Sequence, residues 1–165
     1  MKALFSTIVI SCFIAITSCN NINLNDNNPS KTNEAVEAMK GSQKIVSPKD
    51  GVFIHLSSGP EAPQKVLMAF SMAKLMSDDK EVMIYIDIKG VYTILKDAED
   101  ITFKEFPSSL TLLGELKEKG VNVVVCPTCL KAADKTSDDI LDWVSIATKD
   151  KFFDFCDGKI LSFNY

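Results

Sequence analysis

The chain has 165 residues, 46% of them hydrophobic and 24% charged, which is enough for one domain with a real core and too few for two ordinary ones. Its net charge is -4 and every basic residue is Lys. Phosphate and guanine recognition lean on the bidentate fork of Arg, so an acidic chain without Arg is a poor nucleic-acid binder and that class is set aside.

Residues 1–18 read as a leader. Lys2 supplies the positive start, Ala3 to Ile16 is mostly apolar, and small residues close the segment. This length suits the apolar region of a signal peptide and falls short of the ~20 residues that span a bilayer as a helix. Ile16-Thr17-Ser18-Cys19 resembles the lipobox of bacterial lipoproteins, which implies cleavage before Cys19 and attachment of palmitate-type chains to its sulfur. Each buried methylene contributes ~0.8 kcal/mol, so two or three chains on one Cys anchor stably. Such an anchor puts the protein in the cell envelope, on the inner or the outer membrane, with its domain in the periplasm or outside the cell. Residues 19–44 follow as a tether rich in Asn, too polar to bury surface enough to offset its ordering entropy. A flexible tether of this kind spans about 30 Å. Asn33 to Gln43 has the pattern of a short helix around Val36 and Met39.

The folded domain takes residues 45–165. Val52 to Leu56 is a continuous apolar run stopped by Ser57-Ser58-Gly59-Pro60, the pattern of a buried strand. A helix announced by Pro60 and Pro63 carries Val66, Ala69, Phe70 and Ala73 on one stripe and Met68, Met72, Leu75 and Met76 on the next, broad enough for core packing or for a subunit interface. Val82 to Asp87 is a second strand, and Val91 to Ala98 a short helix. Ser108 to Glu118 reads as an amphipathic helix with Leu110, Leu113 and Leu116 apolar and Gly120 at its C-cap. Val121 to Val125 is a β-branched third strand that runs into Cys126-Pro127-Thr128-Cys129. A helical turn at Asp138 to Leu141, a strand at Trp143 to Ala147, a helix from Lys149 to Cys156 capped by Thr148, and a strand at Lys159 to Phe163 complete the chain. Alternating strands and helices point to an α/β sandwich with a mainly parallel sheet.

Four stretches carry a resemblance. Leu56 to Gln64 after the first strand, Asp87-Ile88-Lys89-Gly90-Val91 after the second, Gly120 to Cys126 at the third, and Asp157 to Phe163 at the end resemble the DsrE/DsrF-like family, which includes the sulfur-relay TusD-type proteins. The resemblance implies a three-layer α/β/α fold, a five-stranded sheet whose last strand runs antiparallel, and assembly into homotrimers or hexamers. It also implies a functional cysteine after the third strand, matched here by Cys126, that accepts sulfur as a persulfide and hands it to a partner protein. This chain departs from the relay proteins by adding Cys129 and by carrying a lipoprotein leader.

The residues allow the chemistry to be argued separately. A thiol at the tip of a strand where a helix begins is acidified by backbone N–H groups, and Cys-x-x-Cys spacing brings two sulfurs within disulfide reach. Three readings of Cys126 and Cys129 stay open: a redox or sulfur-handling dithiol, a structural disulfide or inert pair, and a zinc site completed by Cys156 and His55. No cofactor motif is present; Ser57-Ser58-Gly59 lacks the Gly count and the Lys-Ser/Thr of a nucleotide loop. His55, the single histidine, lies inside an apolar run and reads as a hydrogen-bonded core residue, and Cys156 reads as buried and inert. Asp78-Asp79 and Asp138-Asp139 read as turn and cap residues. Two function classes result: a membrane-tethered thiol protein working through Cys126 with Cys129 as resolving thiol, and a non-catalytic binding or assembly module.

Overall fold

The structure, a computed structural model, describes residues 48–165. The leader, Cys19 and the tether lie outside the described residues, as does the helix expected at Asn33 to Gln43. Among the described residues no helix is long and apolar enough to cross a membrane.

The chain runs β1 (Gly51–Leu56), α1 (Pro63–Met76), β2 (Glu81–Ile86), a 3-10 helix (Ile88–Thr93), α2 (Ser109–Glu118), β3 (Asn122–Val125), α3 (Pro127–Ala132), β4 (Ser145–Ile146), α4 (Lys149–Phe153) and β5 (Ile160–Asn164). The five strands form one sheet in the order β4-β3-β2-β1-β5. This is the expected α/β architecture. One expectation needs correction: β5 lies parallel to β1, in register Gly51↔Ile160 to His55↔Asn164, and is not antiparallel. All the other strand pairs are parallel as well. The reason is the connection. Between β4 and β5 the chain makes a crossover that includes α4, returning it to the end of the sheet from which β1 starts, where Gly51 N–H donates to Lys159 O at 2.8 Å.

Alternation along the strands sorts side chains to two faces. Val52, Ile54 and Leu56 of β1, Val82, Ile84 and Ile86 of β2, and Val123 and Val125 of β3 join Val66, Leu67, Phe70 and Ala73 of α1 and Leu112, Leu113 and Leu116 of α2 in one buried core. Burying a side chain of this size stabilises by about 1.5–3 kcal/mol. On α2 the buried stripe includes Leu112 where Leu110 was expected; Leu110 is half exposed. The helix is fixed at its start by Ser108 Oγ, which accepts the Thr111 N–H at 3.4 Å, and by Asp100 Oδ1, which accepts the Leu110 N–H at 2.9 Å. Lys74 of α1 pairs with Glu115 of α2 at 2.7 Å.

The second face is covered far more thinly. Phe53 and Tyr85 stack there with ring centroids 6.3 Å apart, and Phe152 of α4 sits edge-on to Tyr85 at 5.1 Å. No residue of the five-residue α4 is buried. The segment expected as one helix to Cys156 ends at Phe153, and Thr148 precedes it without a side-chain capping bond. The helix expected at Val91 to Ala98 is instead the earlier and tighter Ile88–Thr93 turn.

Candidate functional site

Parallel strands deliver the residues at their carboxyl ends to one edge of the sheet, where α/β folds place their sites. At this edge β1 contributes His55, β2 contributes Tyr85 and Asp87, and β3 leads into Cys126; His55 and Tyr85 are register partners. Gly90 closes the approach from the 3-10 helix, since a Cβ there would strike the carbonyl oxygen of Leu56.

Cys126 is the N-cap of α3. Its φ of -63° and ψ of 118° are extended, Pro127 occupies the first helical position, and Cys126 Sγ accepts the Cys129 N–H at 3.4 Å. Both Cys126 and Cys129 are free thiols, partly exposed. Burial pushes the Cys126 thiol up, but it is outweighed by hydrogen bonds from the Cys129 backbone, the Tyr85 hydroxyl, the Cys129 thiol and the Thr128 backbone, so the group ionises below the usual thiol range. Cys129 moves the other way. Burial raises it, a hydrogen bond from Ile88 N–H lowers it, and the Cys126 sulfur and the Asp87 charge raise it further. Tyr85 is likewise driven upward, first by burial and then by its hydrogen bond to Cys126, so its hydroxyl stays protonated and donates.

Ile88 carries strain at this point. Its φ is +45°, a left-handed conformation that a β-branched side chain adopts only at a cost of about 1–3 kcal/mol. The same turn leaves its side chain 61% exposed. With Lys89, Tyr92, Ala132 and Ala133 it borders an open groove of about 360 Å³ that reaches Cys129.

His55 departs from expectation. Its side chain is 30% exposed, stacks on Tyr85 at 5.4 Å, and brings Nδ1 to 3.3 Å from Asn164 Oδ1. Nε2 lies 2.9 Å from Asp87 Oδ2 but out of line for a hydrogen bond. Val52, Ile54 and Leu56 face the core, and His55 occupies the alternate face with Phe53. Tyr85 and Asp87 were not singled out for chemistry from the sequence, although an Asp directly after a parallel strand is a signal for the site edge.

Other expected participants lie elsewhere. Cys156 sits against Gly51 at the opposite, amino end of β1, far along the strand from His55, and so does not join the Cys126 and Cys129 pair. Among the described residues, no group of three or more His, Cys, Asp and Glu side chains is arranged to hold a metal ion. The Ser57-Ser58-Gly59 loop is occupied from within: Gly59 N–H donates to Glu61 Oε1 at 3.1 Å and Ser57 Oγ to Tyr165 O at 3.1 Å. Asp139 Oδ2 accepts from Thr136 N–H at 2.7 Å, as a turn residue does, and Asp78 pairs with Lys119 at 2.5 Å.

This order of strands and turns has counterparts. The model of the DsrE/DsrF-like family matches residues 50–157. The chain belongs to the DsrE/DsrF-like family. Among solved structures, the ychN protein from E. coli is 17% identical with a TM-score of 0.50, the match covering 70% of this chain and 99% of that one. A protein of unknown function from Methanobacterium thermoautotrophicum is 18% identical with a TM-score of 0.46, over 69% of this chain and 98% of that one. The first shares the fold of this DsrE-like domain. No curated protein matches the sequence.

Proposed function

We propose that this DsrE-like chain is an envelope lipoprotein that handles thiols, passing a disulfide or a persulfide sulfur through Cys126 with Cys129 as the resolving thiol. The observation that carries the reading is the contrast within one turn: Cys126 Sγ caps α3, accepts the Cys129 N–H at 3.4 Å and ionises below the usual thiol range, whereas burial raises Cys129. A nucleophile and a resolving group need that asymmetry. Membership of a family usually concerned with sulfur relay supports the same chemistry.

With a disulfide partner, the Cys126 thiolate attacks one sulfur and expels the other as a thiolate. Cys129 then attacks Cys126 Sγ, closes the internal disulfide and releases the first partner sulfur. Two electrons pass from the dithiol to the partner. With a persulfide donor, attack on the outer sulfur leaves a Cys126 persulfide and a donor thiol.

The anchor is part of the proposal. Cleavage before Cys19 and acylation of its sulfur tether the domain at residues 45–165 to a membrane through residues 19–44, and mass spectrometry of the purified chain reads the leader and the lipid directly. For the chemistry, Cys126→Ser abolishes both disulfide reduction and sulfur acceptance; unchanged turnover by that variant would remove the thiol reading.

An assembly role has an observation of its own. β5 is an edge strand whose Ile160 and Leu161 are 55% and 52% exposed, beside an apolar depression formed with Val52 and Met76. A homotrimer or hexamer that covers this edge dissociates in sedimentation when Leu161 is changed to Lys, and a monomeric parent chain would contradict it.

A further inference from the structure

The disulfide exchange described above ends with Cys126 and Cys129 joined, and the dithiol has to be restored before a second cycle. The open groove of about 360 Å³ borders Cys129 and not Cys126, so the second cysteine is the one reached from this side. Its other walls are Ile88, Lys89 and Tyr92 of the 3-10 helix and Ala132 and Ala133 at the end of α3. Small-molecule sites start at about 300 Å³, so the space suits a small ligand. Its apolar rim is open, with Ile88 61% and Tyr92 43% exposed, and the left-handed φ of +45° at Ile88 is strain kept for a side chain that the core does not bury. Charge narrows the choice of occupant. Lys89 is the one charged residue on these walls; it is exposed, and among the described residues it holds no ion pair. Two carboxylates nearby are turned to other groups: Asp87 Oδ2 faces His55 Nε2 at 2.9 Å, and Glu61 Oε1 accepts the Gly59 N–H at 3.1 Å. In a chain of net charge -4, walls that carry a cation and no carboxylate favour an anionic occupant.

We infer that the groove seats a small thiol carrying a carboxylate, its apolar part against Ile88 and Tyr92 and its carboxylate at Lys89, and that this thiol reopens the internal disulfide by attacking Cys129. The inference rests on the thiol-exchange reading. The ligand thiolate attacks Cys129 Sγ, a new S–S bond joins ligand and Cys129, the bond between Cys129 and Cys126 breaks, and Cys126 leaves as a thiolate. The leaving group favours this order, because the sulfur that ionises more readily departs faster. Cys126 Sγ accepts the Cys129 N–H at 3.4 Å and ionises below the usual thiol range, whereas burial raises Cys129. A second ligand thiolate then attacks the ligand sulfur of the mixed disulfide, and Cys129 leaves and takes a proton from water. Two small thiols become one disulfide, and the protein dithiol regains two electrons. Partner and reductant thus use different sulfurs, Cys126 for the first and Cys129 for the second.

The test oxidises the full chain in detergent with diamide and reduces it with mercaptopropionate, mercaptoethanol or cysteamine, which are anionic, neutral and cationic away from their thiols. Samples quenched early with N-ethylmaleimide in mild acid are digested with trypsin, and fragmentation of the peptide of residues 120–131 locates the ligand adduct. The adduct is expected on Cys129, with Cys126 carrying the maleimide. At low salt, Lys89→Glu is expected to lower the rate with mercaptopropionate relative to mercaptoethanol by about fivefold or more, and to raise that with cysteamine. Taking each ratio against the parent chain cancels the thiols' own reactivities. An adduct on Cys126, an unchanged ratio, or reopening by a protein dithiol and by none of the small thiols overturns the inference, the last by giving the groove to a protein partner. Circular dichroism checks that the variant is folded. If it is not, the unsubstituted chain decides, through the adduct position and through loss of the preference for mercaptopropionate in high salt. Failure of diamide to close a bond between Cys126 and Cys129 that thiols reopen sinks the thiol reading itself, whereas normal closing and reopening with the adduct on Cys126, or with no preference for the anionic thiol, sinks only the role of the groove.

Discussion

The two faces of the sheet are built for different purposes. Toward α1 and α2 the three central strands β1, β2 and β3 present aliphatic side chains that are almost wholly buried, with Phe70 and Ile84 fully enclosed. Toward α4 the strands present Phe53, His55 and Tyr85, ring upon ring, under a helix of five residues. The sealed face holds the strands in register. The thin face, where polar atoms reach water and one another, runs up to the thiols. Separating stability from chemistry in this way lets one edge tolerate a strained Ile88 and a donor-poor Asp87.

That contrast breaks most visibly under truncation. Phe70→Ala should cost about 3–5 kcal/mol, by lost transfer energy and by the cavity left behind, and Phe152→Ala about 1–2 kcal/mol because the ring is only half covered. Urea unfolding midpoints measure both, and equal costs would mean that the thin face carries as much of the core as the sealed one. At the boundary between the faces, Tyr85→Phe removes a hydroxyl that donates to Cys126 and leaves the ring stack in place. A hydrogen bond to a charged sulfur is worth about 1.5 kcal/mol, so iodoacetamide alkylation of Cys126 at neutral pH should slow by about tenfold at most, with unfolding nearly unchanged.

The smallest expected effect lies on the sealed side. Asp100→Ala deletes the acceptor for Leu110 N–H and should cost about 1 kcal/mol at neutral pH. That hydrogen bond to the Leu110 backbone holds the Asp100 carboxyl below its usual range, against the opposing effect of burial. A depressed carboxyl stabilises above its unfolded value and loses that contribution as pH falls through the folded one, so the gap between parent and variant should close in acid below about pH 4. A gap that widens in acid would assign Asp100 some other role.

The sequence made much of the sealed face legible, because one-sided burial writes itself as periodic apolar residues: Val66, Ala69, Phe70 and Ala73 on α1, and Leu113 and Leu116 on α2. It was less informative about direction and reach. Nothing in the residues Lys159 to Phe163 distinguishes a parallel from an antiparallel edge strand, since exposed side chains on β5 leave no constraint on which way it runs. Cys126 and Cys129 stood out by their spacing and by the family resemblance, and Cys126 caps α3. His55 was hidden by its neighbours: Ile54 and Leu56 are fully buried on one face, and a run of apolar letters conceals that the residue between them points to the other. Tyr85 and Asp87 were hidden for a related reason, as their partners come from other strands and only the parallel register brings them together.

The most direct measurement is the pH dependence of alkylation at each cysteine, read by mass spectrometry of peptides from the reduced chain between pH 4 and 9, with unperturbed thiols titrating near about 8.5. Expected is a Cys126 midpoint clearly under that value and a Cys129 midpoint above it. Coincident midpoints, or Cys129 reacting first, would contradict a nucleophile and a resolving thiol set apart by their surroundings.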